Sequence, residues 1–266
     1  MLKYYILTID FLLYTRMIPD IQNIILSYLQ KFELATIFNQ HSKESYLDAV
    51  KNEDINYMHT HITIFKNLSV PFYRAAQYNA LWSIKFMMDF GITESYIDAA
   101  LYCAAGNGHM NIIRYLLLIR SKRQISIFTN HDKAFWVASQ AGRVNIMKMF
   151  SGISSYDRAL NMACQSGHIA AAQYIIDNSN TTLDFDIALW YACESSMNYN
   201  RNDVINLLVK HGATKFNSAL CAASRHGHVA TIILLMDLGA NCLNDAFEIA
   251  ETHNNYSVAA FLKARI

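Results

Sequence analysis

The sequence predicts an all-α protein, a solenoid of stacked helix-turn-helix units with a helical cap at its N-terminus. Three observations support this prediction. A motif of small and apolar residues recurs along most of the chain, glycines follow several copies of it, and hydrophobic residues make up 53% of 266 residues. Because a single pair of short helices cannot bury its apolar face, consecutive pairs must stack into a continuous core.

The recurring motif consists of a small residue or proline, a Leu or Phe, two variable residues, an alanine and a second small residue. The alanines recur at intervals of 29, 34, 25, 29, 31 and 27 residues. Apolar residues three or four positions apart lie on one face of a helix, so each copy predicts a first helix that another helix can approach closely. We call these residues the anchoring alanines; they are Ala75, Ala104, Ala138, Ala163, Ala192, Ala223 and Ala250.

The second half of each unit follows a turn and is expected to be a longer, bulkier helix. Residues 112–117 and 232–236 are examples of its apolar stretch. Glycine readily adopts the left-handed conformation that ends a helix, which explains its place in the turn. The predicted turn glycines are Gly108, Gly142, Gly167 and Gly227.

These units resemble ankyrin repeats. Residues 70–76 are similar to the T-P-L-H-x-A-A opening of that family, and the Gly-His pairs at 108–109, 167–168 and 227–228 match its turn between helices. Residues 210–213 and 237–240 resemble the end of its second helix. The resemblance implies an ankyrin-repeat solenoid of about seven units.

The repeat pattern suggests a division of the chain into three parts. Residues 1–45 are expected to form an N-terminal helical segment, residues 46–69 a degenerate repeat, and residues 70–266 the ankyrin-repeat array. Several intervals are shorter than the usual ankyrin length of about 33 residues, which predicts that the β-hairpin fingers between units are reduced to plain turns. An insertion near residues 196–199 predicts an irregular loop.

Residues 18–29 are similar to the opening of an F-box, in which Leu-Pro precedes an Ile-Leu-x-x-Leu cluster, although this copy is one residue shorter. The alternative is a plain helix that caps the solenoid. The F-box resemblance implies docking to the linker subunit of a cullin-RING ubiquitin ligase, with the repeats selecting the substrate. The docking residues would be Pro19, Ile24, Ile25, Leu26 and Leu29.

Ankyrin arrays with an F-box-like end are familiar in large, mimivirus-like DNA viruses. An Ile-, Asn- and Tyr-rich composition also fits an AT-rich genome. The resemblance therefore implies a host-directed viral protein. Met17 directly precedes the helix-start signal of Pro19, so a second initiation site at Met17 is a further hypothesis.

The overall charge argues against nucleic acid and anionic membranes as partners, because the net charge is +1 and only 16% of residues are charged. We therefore expect protein partners and a monomeric chain. Five cysteines without a C-x-x-C pair favour reduced thiols inside a cell. With no apolar run of membrane-spanning length, a cytoplasmic location is expected, which for a viral protein means the host cytoplasm.

The sequence offers no persuasive catalytic or metal-binding motif. It has no phosphate loop, G-x-S-x-G or H-E-x-x-H, and the close pair His59 and His61 has no companions at zinc-site spacing. We predict no enzymatic activity, cofactor or metal. Histidines 109, 168 and 228 recur at a turn, and cysteines 103, 164, 193 and 221 take small-residue positions expected to be buried.

The remaining kind of function is the recognition of another protein, and helical geometry indicates which residues would contact it. The residues two before and two after each anchoring alanine share a flank about 100 to 140° from the buried centre of the first helix. In ankyrin arrays the first helices line a concave surface, so this flank is the candidate binding face; the alternative is that its aromatic residues pack between repeats. The candidate residues are Tyr73, Gln77, Tyr102, Trp136, Gln140, Gln165, Trp190, Glu194 and Arg225.

Overall fold

The computed structural model describes residues 34–61, 68–123, 131–195 and 202–266, and these ranges contain sixteen α-helices and no strand. The helices are α1 (Leu34–Asn52), α2 (Ile55–His61), α3 (Ser69–Gln77), α4 (Leu81–Met88), α5 (Glu94–Asn107), α6 (Met110–Lys122), α7 (His131–Gln140), α8 (Val144–Met147), α9 (Tyr156–Gln165), α10 (Ile169–Asn178), α11 (Phe185–Glu194), α12 (Asn202–Lys210), α13 (Phe216–His226), α14 (Val229–Asp237), α15 (Leu243–Thr252) and α16 (Tyr256–Lys263).

Consecutive helices pair, with an odd-numbered first helix and an even-numbered second helix in each unit. Every odd-numbered helix packs against the next odd-numbered one, and contacts between even-numbered helices form a second layer. The predicted all-α solenoid is therefore confirmed. The F-box-like residues 18–29 and the insertion at 196–199 lie outside the described residues, and the division of the chain at residues 45 and 69 stays a prediction.

The anchoring alanines lie at the centre of the stack. All seven have 0% of their surface exposed, and the Leu or Phe three positions earlier is buried in the first six units. A methyl side chain lets neighbouring first helices approach closely, whereas a larger one would separate them. The sequence prediction of a close-packed first-helix layer is correct.

The turn between the two helices of a unit repeats one backbone hydrogen bond. The carbonyl of an anchoring alanine accepts the N–H of the residue five positions later, as in His109 to Ala104 at 2.9 Å and His228 to Ala223 at 3.1 Å. Gly108 and Gly227 make this turn possible with φ of 92° and 80°. Asn79 and Asn254 replace glycine in the first and last anchored units, with φ of 62° and 61°.

The expectation that second helices are longer than first helices is wrong. In every pair from α3–α4 to α15–α16 the second helix is no longer than the first, and α8 has only four residues. The interval from Ala138 to Ala163 is the shortest, at 25 residues, and it contains α8. The shortest repeat interval thus contains the shortest second helix.

Replacing Ala163 by Leu tests the role of the anchoring alanines. We expect Ala163→Leu to lower the free energy of unfolding by about 1 to 3 kcal/mol, because added methylenes in a filled core force neighbouring helices apart. Ala99→Leu on the exposed side of α5 is the matched control and should change stability by less than about 0.5 kcal/mol. Urea unfolding curves measure both; equal effects would contradict the proposed packing role.

His131 is the first residue of α7 and only 8% of it is exposed. Its Nδ1 lies 3.3 Å from the Ser151 carbonyl oxygen. Burial lowers the pKa of His131, and the positive charge of Arg120 lowers it further, against the opposing effects of Ser151 and Asp132. The folded protein therefore binds a proton at His131 less readily than the unfolded chain does.

The lowered pKa of His131 predicts a loss of stability in mild acid. As the pH falls below about 6.5, the unfolded chain takes up a proton before the folded protein, so the free energy of unfolding decreases by at most about 1.4 kcal/mol per pH unit. Urea unfolding at about pH 7.5 and about pH 5.5 measures the change, which His131→Gln should reduce. Exposed His253→Gln is the control; an identical pH dependence in all three proteins would refute the assignment.

Candidate interaction surface

The candidate surface follows the odd-numbered helices, at the positions two residues before the anchoring alanines. Because these helices pack side by side, the positions form one row, which we call the first-helix row. Tyr73 and Tyr102 are 39% and 44% exposed, whereas Trp136 and Trp190 are half-buried. The complete row is Tyr73, Tyr102, Trp136, Asn161, Trp190, Cys221 and Glu248.

Tyr73 and Tyr102 form the N-terminal end of the row. The thiol of Cys103, on the neighbouring helix α5, is the main influence on the pKa of Tyr73. The charge of Cys103 raises the pKa of Tyr73, and burial raises the pKa of Cys103. Both groups are therefore uncharged near neutral pH, and Tyr73 presents an exposed ring with a neutral hydroxyl.

The two tryptophans of the row contribute to packing as well as to the surface. Trp136 Nε1 donates to the carbonyl of Ser155 at 3.0 Å, and the guanidinium carbon of Arg158 lies 4.3 Å from the centre of the Trp136 ring. Trp136 thus links α7 to the start of α9 through a hydrogen bond and a cation–π contact. Trp190 packs edge-on against Tyr191, with 5.1 Å between ring centres. Within the first-helix row, Tyr73 and Tyr102 are therefore more accessible to solvent than the two tryptophans.

The residues two positions after the anchoring alanines form a parallel row with mixed roles. Gln77 Oε1 accepts a hydrogen bond from Arg74 Nη1 at 2.9 Å. Gln140 is exposed and Gln165 is half-buried. These amides flank the aromatic residues of the first-helix row without adding net charge to the surface.

Glu194 and Arg225 in this second row bind each other. Arg225 Nη1 lies 2.6 Å from Glu194 Oε1, which joins α11 to α13, and His226 Nε2 lies 3.7 Å from the same oxygen. The two charges are thus largely compensated within the protein. Glu194 and Arg225 thus connect two units through an ion pair, and a partner that contacted either residue would compete with this ion pair.

The histidines of the Gly-His turns bind the preceding unit. His109 Nε2 lies 2.8 Å from the carbonyl oxygen of Gln77, and His228 Nε2 lies 2.7 Å from that of Ser195. Arg143 and Asn255 replace histidine in other units and donate to equivalent carbonyls of Gly106 and Arg225 at 3.3 and 2.6 Å. These carbonyls lie at the ends of first helices and lack helical partners, so a side-chain donor satisfies them.

A second set of polar contacts was not predicted from the sequence. The residue six positions before an anchoring alanine accepts a hydrogen bond from a backbone N–H that precedes the first helix of the next unit. The signal was present, because this position holds Asp or Asn in six consecutive units. The observed bonds join Asp132 to Ser154 at 2.9 Å, Asp157 to Asp184 at 2.9 Å, Asp186 to Thr214 at 2.7 Å, and Asn217 to Asn241 at 2.8 Å.

Asp186 illustrates the electrostatics of these contacts. Partial burial acts to raise its pKa, but the N–H groups of Thr214 and Lys215 and the charge of Lys215 outweigh that effect. The net pKa is lowered, so Asp186 remains an ionised acceptor at neutral pH. The carboxylate therefore fixes the turn between the units of α11 and α13.

The cysteines differ from the prediction at one position. Cys103, Cys164 and Cys193 are buried as expected, but Cys221 is half-buried. Cys221 lies two positions before Ala223, in the first-helix row, and its sulfur is 3.8 Å from that of Cys242 in the turn before α15. Across the described ranges, no three His, Cys, Asp or Glu residues are grouped in a way that could hold a metal ion.

None of the helices in the described ranges is both long enough and apolar enough to cross a membrane. Comparison of the sequence with protein-family models and with curated proteins gives no match.

Comparison with solved structures gives a clear likeness. The crystal structure of the human ASB11 ankyrin repeat domain matches 74% of this chain and 97% of that domain, with a TM-score of 0.53 and 22% sequence identity. At this level of identity the likeness shows the fold alone. The chain therefore has an ankyrin-repeat fold, in agreement with the resemblance found in its repeat motifs.

Proposed function

We propose that this protein is a non-catalytic protein-interaction module that binds a partner through the concave face of its ankyrin-repeat array. The observation that carries the proposal is the exposed pair Tyr73 and Tyr102 at the end of the first-helix row. Both side chains combine an apolar ring with a hydroxyl and lose little conformational entropy on binding, which is why tyrosine is frequent at protein interfaces.

The surroundings of this pair support the proposal. Tyr73 and Tyr102 lie on the neighbouring helices α3 and α5, so their exposed rings can contact one partner together. Trp136 continues the first-helix row on α7. Arg158, an exposed residue of α9, lies over the Trp136 ring. Tyrosine, tryptophan and arginine are the residues that most often dominate the binding energy of protein interfaces.

The partner is proposed to be a host protein in the cytoplasm of an infected cell. The support for this narrower proposal comes from the sequence, namely the Ile-, Asn- and Tyr-rich composition and the combination of repeats with an F-box-like segment. The near-neutral charge of the chain favours a partner recognised by shape and aromatic contacts over a polyanion.

The double variant Tyr73→Ala, Tyr102→Ala tests the binding face. We expect the dissociation constant for a partner captured from host cells to rise at least about tenfold, because truncation of two interface aromatics removes hot-spot contacts. Trp82→Ala, Tyr256→Ala is the matched control, since these residues are 62% and 67% exposed on the second helices α4 and α16. Titration with the purified partner measures the change. Equal loss in both variants, or none in the first, would contradict the proposed face.

A second candidate function is that of an F-box-type substrate receptor for a cullin-RING ubiquitin ligase. The observation that favours it is the Pro-containing apolar pattern at residues 18–29. In this proposal Pro19, Ile24 and neighbouring apolar residues dock on the ligase linker subunit, and the repeats bind the protein to be ubiquitinated.

Direct binding to the purified linker subunit tests the receptor proposal. We expect the full chain to bind, and Ile25→Asp, Leu29→Asp to abolish binding because charged side chains cannot enter an apolar docking site without a large desolvation cost. The Tyr73→Ala, Tyr102→Ala variant is the control and should bind the linker normally. A full chain that fails to bind the linker would leave the N-terminal segment as a cap and refute the receptor function.

A further inference from the structure

Cys221 and Cys242 form the closest pair of thiols among the described residues. Their sulfur atoms are 3.8 Å apart, and both side chains are half-buried and free. The other three cysteines, at positions 103, 164 and 193, are buried in separate first helices.

Contacts between two units bring the pair together. Asn217 in the first turn of α13 accepts a hydrogen bond from the N–H of Asn241, and its own carbonyl accepts one from the Cys242 thiol at 3.3 Å. Cys221 lies one helical turn after Asn217 and therefore on the same side of α13. The turn before α15 is thus held against α13 with the two sulfurs adjacent.

We propose that Cys221 and Cys242 are a site of reversible oxidation, at which a low-molecular-weight disulfide such as oxidised glutathione links the two thiols into an intramolecular disulfide. The two sulfur atoms must move about 1.8 Å closer to reach bonding distance. Rotation of the two side chains can supply part of this movement. Because the two cysteines belong to successive units, the bond would connect α13 to the start of α15 covalently.

The reaction proceeds by two thiol–disulfide exchanges. The Cys221 thiolate attacks one sulfur of oxidised glutathione, forming a mixed disulfide and releasing one glutathione thiolate. The Cys242 thiolate then attacks the Cys221 sulfur, forming the Cys221–Cys242 disulfide and releasing the second glutathione thiolate. The two protons lost by the protein thiols are taken up by the released thiolates, and the two electrons reduce glutathione disulfide to two molecules of glutathione.

The environment of Cys242 changes when Cys221 enters the mixed disulfide. Burial and then the charge of Cys221 raise the pKa of Cys242 to about 12. After Cys221 has entered the mixed disulfide it carries no charge, and this cause of the raised pKa at Cys242 disappears. Cys242 is then the adjacent thiol that resolves the mixed disulfide.

Oxidation would affect the surface as well as the stability of the array. Cys221 belongs to the first-helix row, so the bond would turn its sulfur toward the following unit and change the C-terminal end of that row. A link between positions 21 residues apart also restricts the unfolded chain more than the folded one. The oxidised protein should therefore unfold at a higher temperature than the reduced protein.

Peptide mapping of the full-length protein tests the site directly. The reduced protein is equilibrated with mixtures of oxidised and reduced glutathione, its remaining thiols are alkylated, and it is digested with trypsin. Cleavage after Lys215, Arg225 and Lys263 places Cys221 in peptide 216–225 and Cys242 in peptide 226–263, so the disulfide appears as a linked pair. We expect this pair to be the main oxidised product.

The same equilibration in urea provides the decisive comparison. A preorganised pair should give an effective thiol concentration at least about tenfold higher in the folded protein than in the unfolded chain. Cys221→Ser should abolish the linked peptides, whereas Cys103→Ser, the control, should retain them. An unresolved mixed disulfide at Cys221, a different linked pair, or equal linkage in the folded and unfolded chains would overturn the proposal.

Discussion

The close approach of neighbouring first helices at the anchoring alanines is the contact on which the rest of the structure depends. Each of these methyl groups is fully buried between helices of successive units. The spacing that they permit brings the side chains of one unit within hydrogen-bonding distance of the backbone of the next, as at His109 and Gln77. A larger residue would increase this spacing and would weaken the polar contacts together with the apolar ones.

Two sets of polar contacts then fix the orientation of each unit on its neighbour. Turn side chains such as His228 bind carbonyls at the ends of first helices, and carboxylates such as Asp186 bind N–H groups before the next first helix. Both satisfy backbone groups that would otherwise lack partners at helix ends and turns. The recurrent histidines and aspartates are therefore used by the fold, whereas Tyr73 and Tyr102 remain as the exposed aromatic residues of the first-helix row.

Prediction from the sequence succeeded where the controlling interactions are local. The anchoring alanines, turn glycines and helical halves follow from residues three to five positions apart, and all were placed correctly. The predicted length of the second helices was wrong, because the bulk of their apolar side chains says nothing about where each helix ends; α8 has only four residues. The Asp and Asn positions were overlooked even though they recur at a constant distance from the alanines. Within the candidate surface, the exposure of Tyr73 and Tyr102 agrees with the helical flank derived from the sequence, but the Trp136 bond to Ser155 was not predicted.

The sequence by itself determined which residues of each unit form helices, which form turns and which face is buried, because helical periodicity and turn chemistry act over a few residues. Only the tertiary structure decided which side chains of different units meet. Glu194 reaches Arg225 across 31 positions, and Cys221 reaches Cys242 across 21. Such contacts depend on the translation and rotation between stacked units, and these are set by the summed packing of the whole interface between units and not by any local motif.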